Sequence, residues 1–151
     1  MDEVVRALRD QQAELAAYVA CLGADDLLRA SRCPGWTVAD VLLHLAQTDE
    51  MAVASVAGRL DEFSARATEG LPPVGSIDEL AGALVELQRS TPTAARDRWI
   101  ASSHAQIEAL TSCDPDARVR WVAGDMAART LATTRLTETW IHTVDVAVKS
   151  G

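Results

Sequence analysis

Glu138 and His142 stand four residues apart near the end of the chain, so on a helix both side chains leave the same face. At 100° per residue, Arg135 and Asp145 fall within about 60° of Glu138. Between Leu131 and Val148, every charged residue and the only histidine lie in this one sector. Ile141 and Val146 border it, and Leu136, Trp140, Val144 and Ala147 take the opposite side. Two arrangements produce such a pattern. One is the solvent face of an amphipathic helix carrying a surface Glu–His pair. The other is an interior polar seam of a helical bundle, where Glu and His project inward and hold a metal. The second needs a further ligand from another helix, and His44 is the candidate. It sits in a helical run with Val41 and Met51 beside it on the wheel. Alone, it also reads as a core histidine with one satisfied hydrogen bond. Taken together, His44, Glu138 and His142 form a set of nitrogen and oxygen donors with coordination positions left open, the character of a catalytic rather than a closed structural site. Such donors suit zinc, and also iron, nickel, manganese or cobalt. Asp145, one turn past His142, is placed to orient a ligand through its other ring nitrogen. Asp40, one turn before His44, is open to the same role or to a surface one. His104 has no partner by spacing.

The elements that must position these residues are helical. Val4, Leu8, Leu15, Val19 and Leu22 form one apolar stripe over residues 3–22, with Gly23 as the stop. Residues 23–35 read as a connection. Thr37, with Asp40 three residues on, opens a second helix expected to run from 37 to about 60. Gly70, Pro72, Pro73 and Gly75 mark 61–75 as a loop, long enough to cover a site. Ser76-Ile77-Asp78-Glu79 is a capping box opening a helix to about Ser90. Thr91-Pro92 then breaks or kinks the chain before a helical stretch over 93–111. Residues 112–124 form another loop in which 118–122 reads as extended. The last helix runs from about 125, with Asp125 as its cap, to 148. Four major helices and one long crossover predict an all-α four-helix bundle.

Length and composition agree with a single domain over 1–151. The 151 residues are 48% hydrophobic and 24% charged, the balance of a soluble globule. A formal net charge of −8 argues against nucleic acid and anionic membranes as partners, because both need a basic patch. No apolar run approaches the roughly 18 residues of a membrane span, and the acidic start MDEVVRALRD lacks the order of a signal peptide. A cytoplasmic protein acting on a small molecule is expected, with a homodimer left open. Cys21, Cys33 and Cys113 are too few and too scattered for a disulfide framework or a paired-cysteine metal site. Cys33, just before Pro34-Gly35, is the one candidate reactive thiol.

Two segments resemble a known family. CPGWTVADVLLHLA over 33–46 resembles the entry to the second helix of DinB-like metal-binding bundles. TRLTETWIHTVDV over 134–146 resembles the last-helix motif of one branch, the N-terminal domain of mycothiol-dependent maleylpyruvate isomerases. The resemblance implies a DinB-like bundle, zinc as the usual metal, and His44, Glu138 and His142 as its ligands. The glutamate points to the isomerase branch, since the wider superfamily often has a third histidine there. Full isomerases also carry a C-terminal domain that contributes to the active site, and this chain stops at Gly151. The activity implied is that of a thiol S-transferase or isomerase. A low-molecular-weight thiol such as mycothiol would be activated at the metal and added to a small electrophile. Arg135 would then hold a carboxylate of thiol or substrate, and Trp36 would wall the pocket. With Asp145, Arg135 completes the pair of catalytic candidates. A metal-assisted hydrolase on the same ligands, or a non-catalytic interaction module, are the alternatives.

Overall fold

In the computed structural model, which describes residues 1–147, the chain forms seven helices and one very short hairpin: α1 (Asp2–Ala20), α2 (Ala24–Leu27), α3 (Val38–Val56), α4 (Leu60–Ala67), α5 (Ile77–Gln88), α6 (Pro92–Ser112), β1 (Arg118–Val119), β2 (Met126–Ala127) and α7 (Ala128–Ala147). The four long helices close a ring of neighbours, α1 on α7, α7 on α3, α3 on α6 and α6 on α1. This is the expected four-helix bundle. Its core is aliphatic and centred on α3, where Val38, Val41, Leu42, Leu43, Leu45 and Ala46 are buried with Leu15, Val19, Leu27 and Trp99. A helix apolar on nearly all sides belongs in the middle of a fold.

Local chemistry sets the boundaries. Thr37 Oγ1 accepts from the Asp40 backbone N–H while Asp40 Oδ2 accepts from the Thr37 N–H, a reciprocal capping box that satisfies two orphan donors of α3. Ser76 caps α5 through Glu79 N–H. Thr91 caps α6, and Pro92 takes a first-turn position, where its missing N–H costs nothing. Residues 76–111 are therefore two helices, not one kinked helix.

Several expected boundaries move. The second helix stops at Val56, and the stretch expected to be a loop over 61–75 begins as helix α4; the irregular part is 68–76. Leu60, buried at 7% exposure, anchors this short helix against α3. Gly23 does not stop α1 in a left-handed conformation. Its φ is −77° and it opens α2. Asp125 does not cap α7, because Arg118 pairs with Ala127 and Val119 with Met126. The extended reading of 118–122 holds only for its first two residues. Asp40 is committed to the cap and to Arg89, whose Nε lies 2.9 Å from Asp40 Oδ1, so it orients no histidine. The expected end of the last helix at Val148 lies outside the described residues. Among the described residues, no helix is long and apolar enough to cross a membrane.

Candidate metal centre

Helix α7 packs inside out relative to simple amphipathicity. Trp140, Ile141 and Val144 are 57%, 41% and 38% exposed, while the charged sector faces α3. Of the two arrangements open from the sequence, the structure is nearer the inward-facing seam, with His142 12% and Asp145 21% exposed, although Glu138 keeps 42% of its side chain exposed at the edge. It brings His44 from α3 against Glu138 and His142 from α7, with one ligand-capable atom of each within 4.8 Å of the others. The two imidazoles meet edge to face, with centroids 5.1 Å apart. Glu138 Oε2 lies 3.3 Å from His142 Nε2, and Asp145 Oδ2 lies 3.1 Å from His142 Nδ1. A carboxylate at Nδ1 accepts the ring N–H there, and a metal at the cluster would take up the Nε2 lone pair in place of the Nε2 contact with Glu138.

The surroundings tune these groups. Burial, and then the neighbouring His142, push His44 down to about 4, so it is a neutral donor. The hydrogen bond from His142 holds Glu138 below the usual carboxylate range against its desolvation. Two imidazoles and one carboxylate on two rigid helices are a donor set that fits a divalent cation with room for further ligands.

A tight turn brings the 28–37 segment over this cluster. Trp36 N–H bonds to Cys33 C=O at 3.1 Å. Pro34 and Gly35 occupy the centre, with Gly35 at φ +80°, the conformation that a type II turn requires of its third residue. Arg32 N–H bonds to Asp145 C=O at 3.0 Å and ties the segment to α7. Trp36 consequently lies against His44, ring centroids 5.1 Å apart, where it walls the cluster. Cys33 Sγ donates to Asp145 Oδ2 at 3.1 Å. Burial and the Asp145 carboxylate push this thiol up to about 12, so Cys33 is a hydrogen-bond donor and not a ready nucleophile.

Arg135 lies beneath the cluster. It is 2% exposed. Its Nη2 donates to Thr48 Oγ1 at 2.8 Å and to Asp49 Oδ1 at 3.4 Å, and its guanidinium lies 5.7 Å from the Trp121 ring. Asp49 also accepts from Ser102. Burial outweighs these partners and pushes the Asp49 carboxyl up to about 6. His104 is exposed on α6, apart from the cluster. Thr48, Asp49 and Trp121 were not singled out from sequence. Thr48 carries a usable signal, because it stands four residues after His44 and shares its face.

The sequence model of the mycothiol maleylpyruvate isomerase N-terminal domain matches residues 8–147. The chain belongs to this family. Two uncharacterised members from Mycobacterium tuberculosis, from strains CDC 1551 / Oshkosh and ATCC 25618 / H37Rv, are each 32% identical over 147 residues. The match covers 97% of this chain and 56% of theirs, so the chain spans about half the length of these curated relatives. The crystal structure of the mycothiol-dependent maleylpyruvate isomerase superposes with a TM-score of 0.76 at 17% identity, covering 97% of this chain and 60% of that one. A histidine-to-alanine mutant of that enzyme gives 0.74 at 17% identity, covering 98% and 61%. These superpositions establish the shared fold of the family's N-terminal domain.

Proposed function

We propose that this chain is the metal-binding part of a thiol-dependent enzyme, one that adds a low-molecular-weight thiol, mycothiol or a close analogue, to a small electrophile. The observation that carries the reading is the convergence of His44, Glu138 and His142 from two helices with sides left free. A divalent cation held there, zinc by the family resemblance, would supply the positive charge that lets a thiol ionise near neutral pH. The chain's own residues do the rest by position. Asp145 fixes the tautomer of His142, Cys33 fixes Asp145, and Trp36 shields His44 from bulk water. Arg135 and Asp49 lie beneath the ligands and hold α7 against α3, so we assign Arg135 a positioning role. In the reaction, a sulfur lone pair forms a carbon–sulfur bond and the displaced π-electron pair takes up the proton the thiol gave. If the carbon framework rotates and the same bond then breaks, the thiol is returned and the product is an isomer.

Elemental analysis of the protein purified without a histidine tag tests the site. About one equivalent of zinc or another divalent ion is expected in the wild type, and a loss in His142→Ala and Glu138→Gln. Thiol consumption in the presence of electrophiles tests the chemistry. Equal metal content in wild type and both variants overturns the site. A fully loaded protein that consumes no thiol with any electrophile leaves the interaction-module reading.

A further inference from the structure

A cavity of about 140 Å³ opens beside His44. Thr48 and Met51 of α3, Phe63 of α4, Leu80 and Leu84 of α5, and Trp121 are among the residues that wall it. Its size is close to that of cavities of about 150 Å³ lined by aliphatic and aromatic side chains, which bind a single benzene ring. Its charge is the second observation. Among the described residues that line it, the only guanidinium is that of Arg98. Arg98 already makes two hydrogen bonds to Glu50, at 2.9 and 2.8 Å. Arg135 does not line it; this side chain lies against the Trp121 ring, with Nη2 on Thr48 and Asp49 and its buried Nε without a hydrogen-bond partner. Gln47 is bonded to Leu84 C=O and to Gln88. Away from the cation proposed on His44, a carboxylate set against Phe63, Leu84 and Trp121 would lose its water and meet no charged partner on those walls, which is costly. An apolar ring would bury its surface against Phe63, Leu84 and Trp121 and gain by it.

We infer that the cavity beside His44 is the subsite for an apolar, ring-sized portion of the electrophilic substrate, so that this chain selects an electrophile that carries an aromatic or similarly apolar group. The inference rests on the thiol-transfer reading for its meaning, but the cavity can be tested without it.

Fluorobenzene, observed by fluorine NMR, is the probe, with the full chain used both as purified and after treatment with a chelator. Saturable broadening or shift of the fluorobenzene signal is expected in both samples. Maleate, the dianionic competitor, is expected to displace none of it. Ala81 also lines the cavity, and Ala81→Phe is expected to abolish the binding with zinc content unchanged. Ala67→Leu fills the same space from α4 and serves if the first variant does not fold. Fluorobenzene that never saturates, that is displaced by maleate, or that binds the filled variants as it binds wild type overturns the inference. Zinc without fluorobenzene binding defeats the subsite alone. Fluorobenzene binding in a protein that takes up no metal leaves the subsite standing and defeats the metal reading.

Discussion

Replacing Arg135 by methionine separates charge from packing beneath the cluster. The Asp49 side chain is 1% exposed and that of Arg135 is 2%, so the substitution leaves a carboxylate buried with no cation. Removing one partner of such a pair costs about 3–5 kcal/mol. The carboxyl can escape by taking up a proton, and this sets a ceiling. From an unfolded value of about 3.9, holding the proton at pH 7 costs roughly 1.4 kcal/mol per unit, or about 4 kcal/mol. With Asp49 already pushed up to about 6 beside Arg135, the variant's folded carboxyl titrates higher still. A group whose folded pKa is raised contributes stability below its unfolded pKa and loses it as pH rises. Wild type, at about 6, already bears all of that cost but the last unit, so the deficit of Arg135→Met against wild type should be small at about pH 4.5 and grow to about 1.4 kcal/mol at pH 7. For a chain of this length that deficit is a drop in Tm of about 3–6 °C. A smaller pH-independent part, about 1 kcal/mol, comes from the lost bond to Thr48. Thermal unfolding followed by circular dichroism across this pH range reads the difference. Asp49→Leu combined with Arg135→Met should recover most of the loss, since well-packed apolar groups replace buried pairs at little cost. A deficit that does not change with pH, or a double variant no better than the single, refutes the assignment of Asp49 as a buried charge compensated by Arg135.

Asp145→Asn should weaken zinc binding about 10- to 100-fold in a chelator competition, the usual cost of losing a carboxylate behind a histidine ligand; unchanged affinity would show that His142 needs no orientation. In the metal-free protein His44 should contribute a loss of about 2–3 kcal/mol as pH falls from about 6.5 toward 4, opposite in sign to the Asp49 contribution, because its folded pKa lies below its unfolded value and protonation favours the unfolded chain. Urea titrations of wild type and His44→Gln read that slope, which the variant should lack. Thr37→Ala should destabilise by about 1 kcal/mol through loss of the α3 cap, measured as a lower Tm with no change in metal content.

The cluster was legible because its information is local. Glu138 and His142 share a face by spacing alone, and the same wheel placed Arg135 and Asp145 beside them. What the wheel could not tell was which face turned inward, since a helix with Trp140, Ile141 and Val144 on one side reads most simply with that side buried. Contact with α3 decided it. Asp40 looked like a partner for His44, but its partner is Arg89, and no local pattern links residues so far apart in the chain. Asp125 looked like a cap until the pairing of β1 with β2 drew the neighbouring backbone into a strand. Helix α4 was hidden by the Gly-Pro run that follows it, and Leu60 is the single buried contact that fixes it. The bonds of Arg135 to Thr48 and Asp49 were not legible, because these partners come from another helix.

The walls of the cavity beside His44 differ in how firmly they are held. Its α3 side belongs to the central core. The opposite side rests on few buried anchors, Leu60 from α4 and Leu84 and Val85 from α5, with Gln47 and Arg89 as polar ties. Local opening costs least where the fewest apolar contacts are broken. Amide protons of α4 and α5 should accordingly exchange with solvent well before those of α3. A guest would then enter by the brief detachment of this arm, and the rate of entry would follow the strength of three side-chain anchors and not the width of a fixed channel.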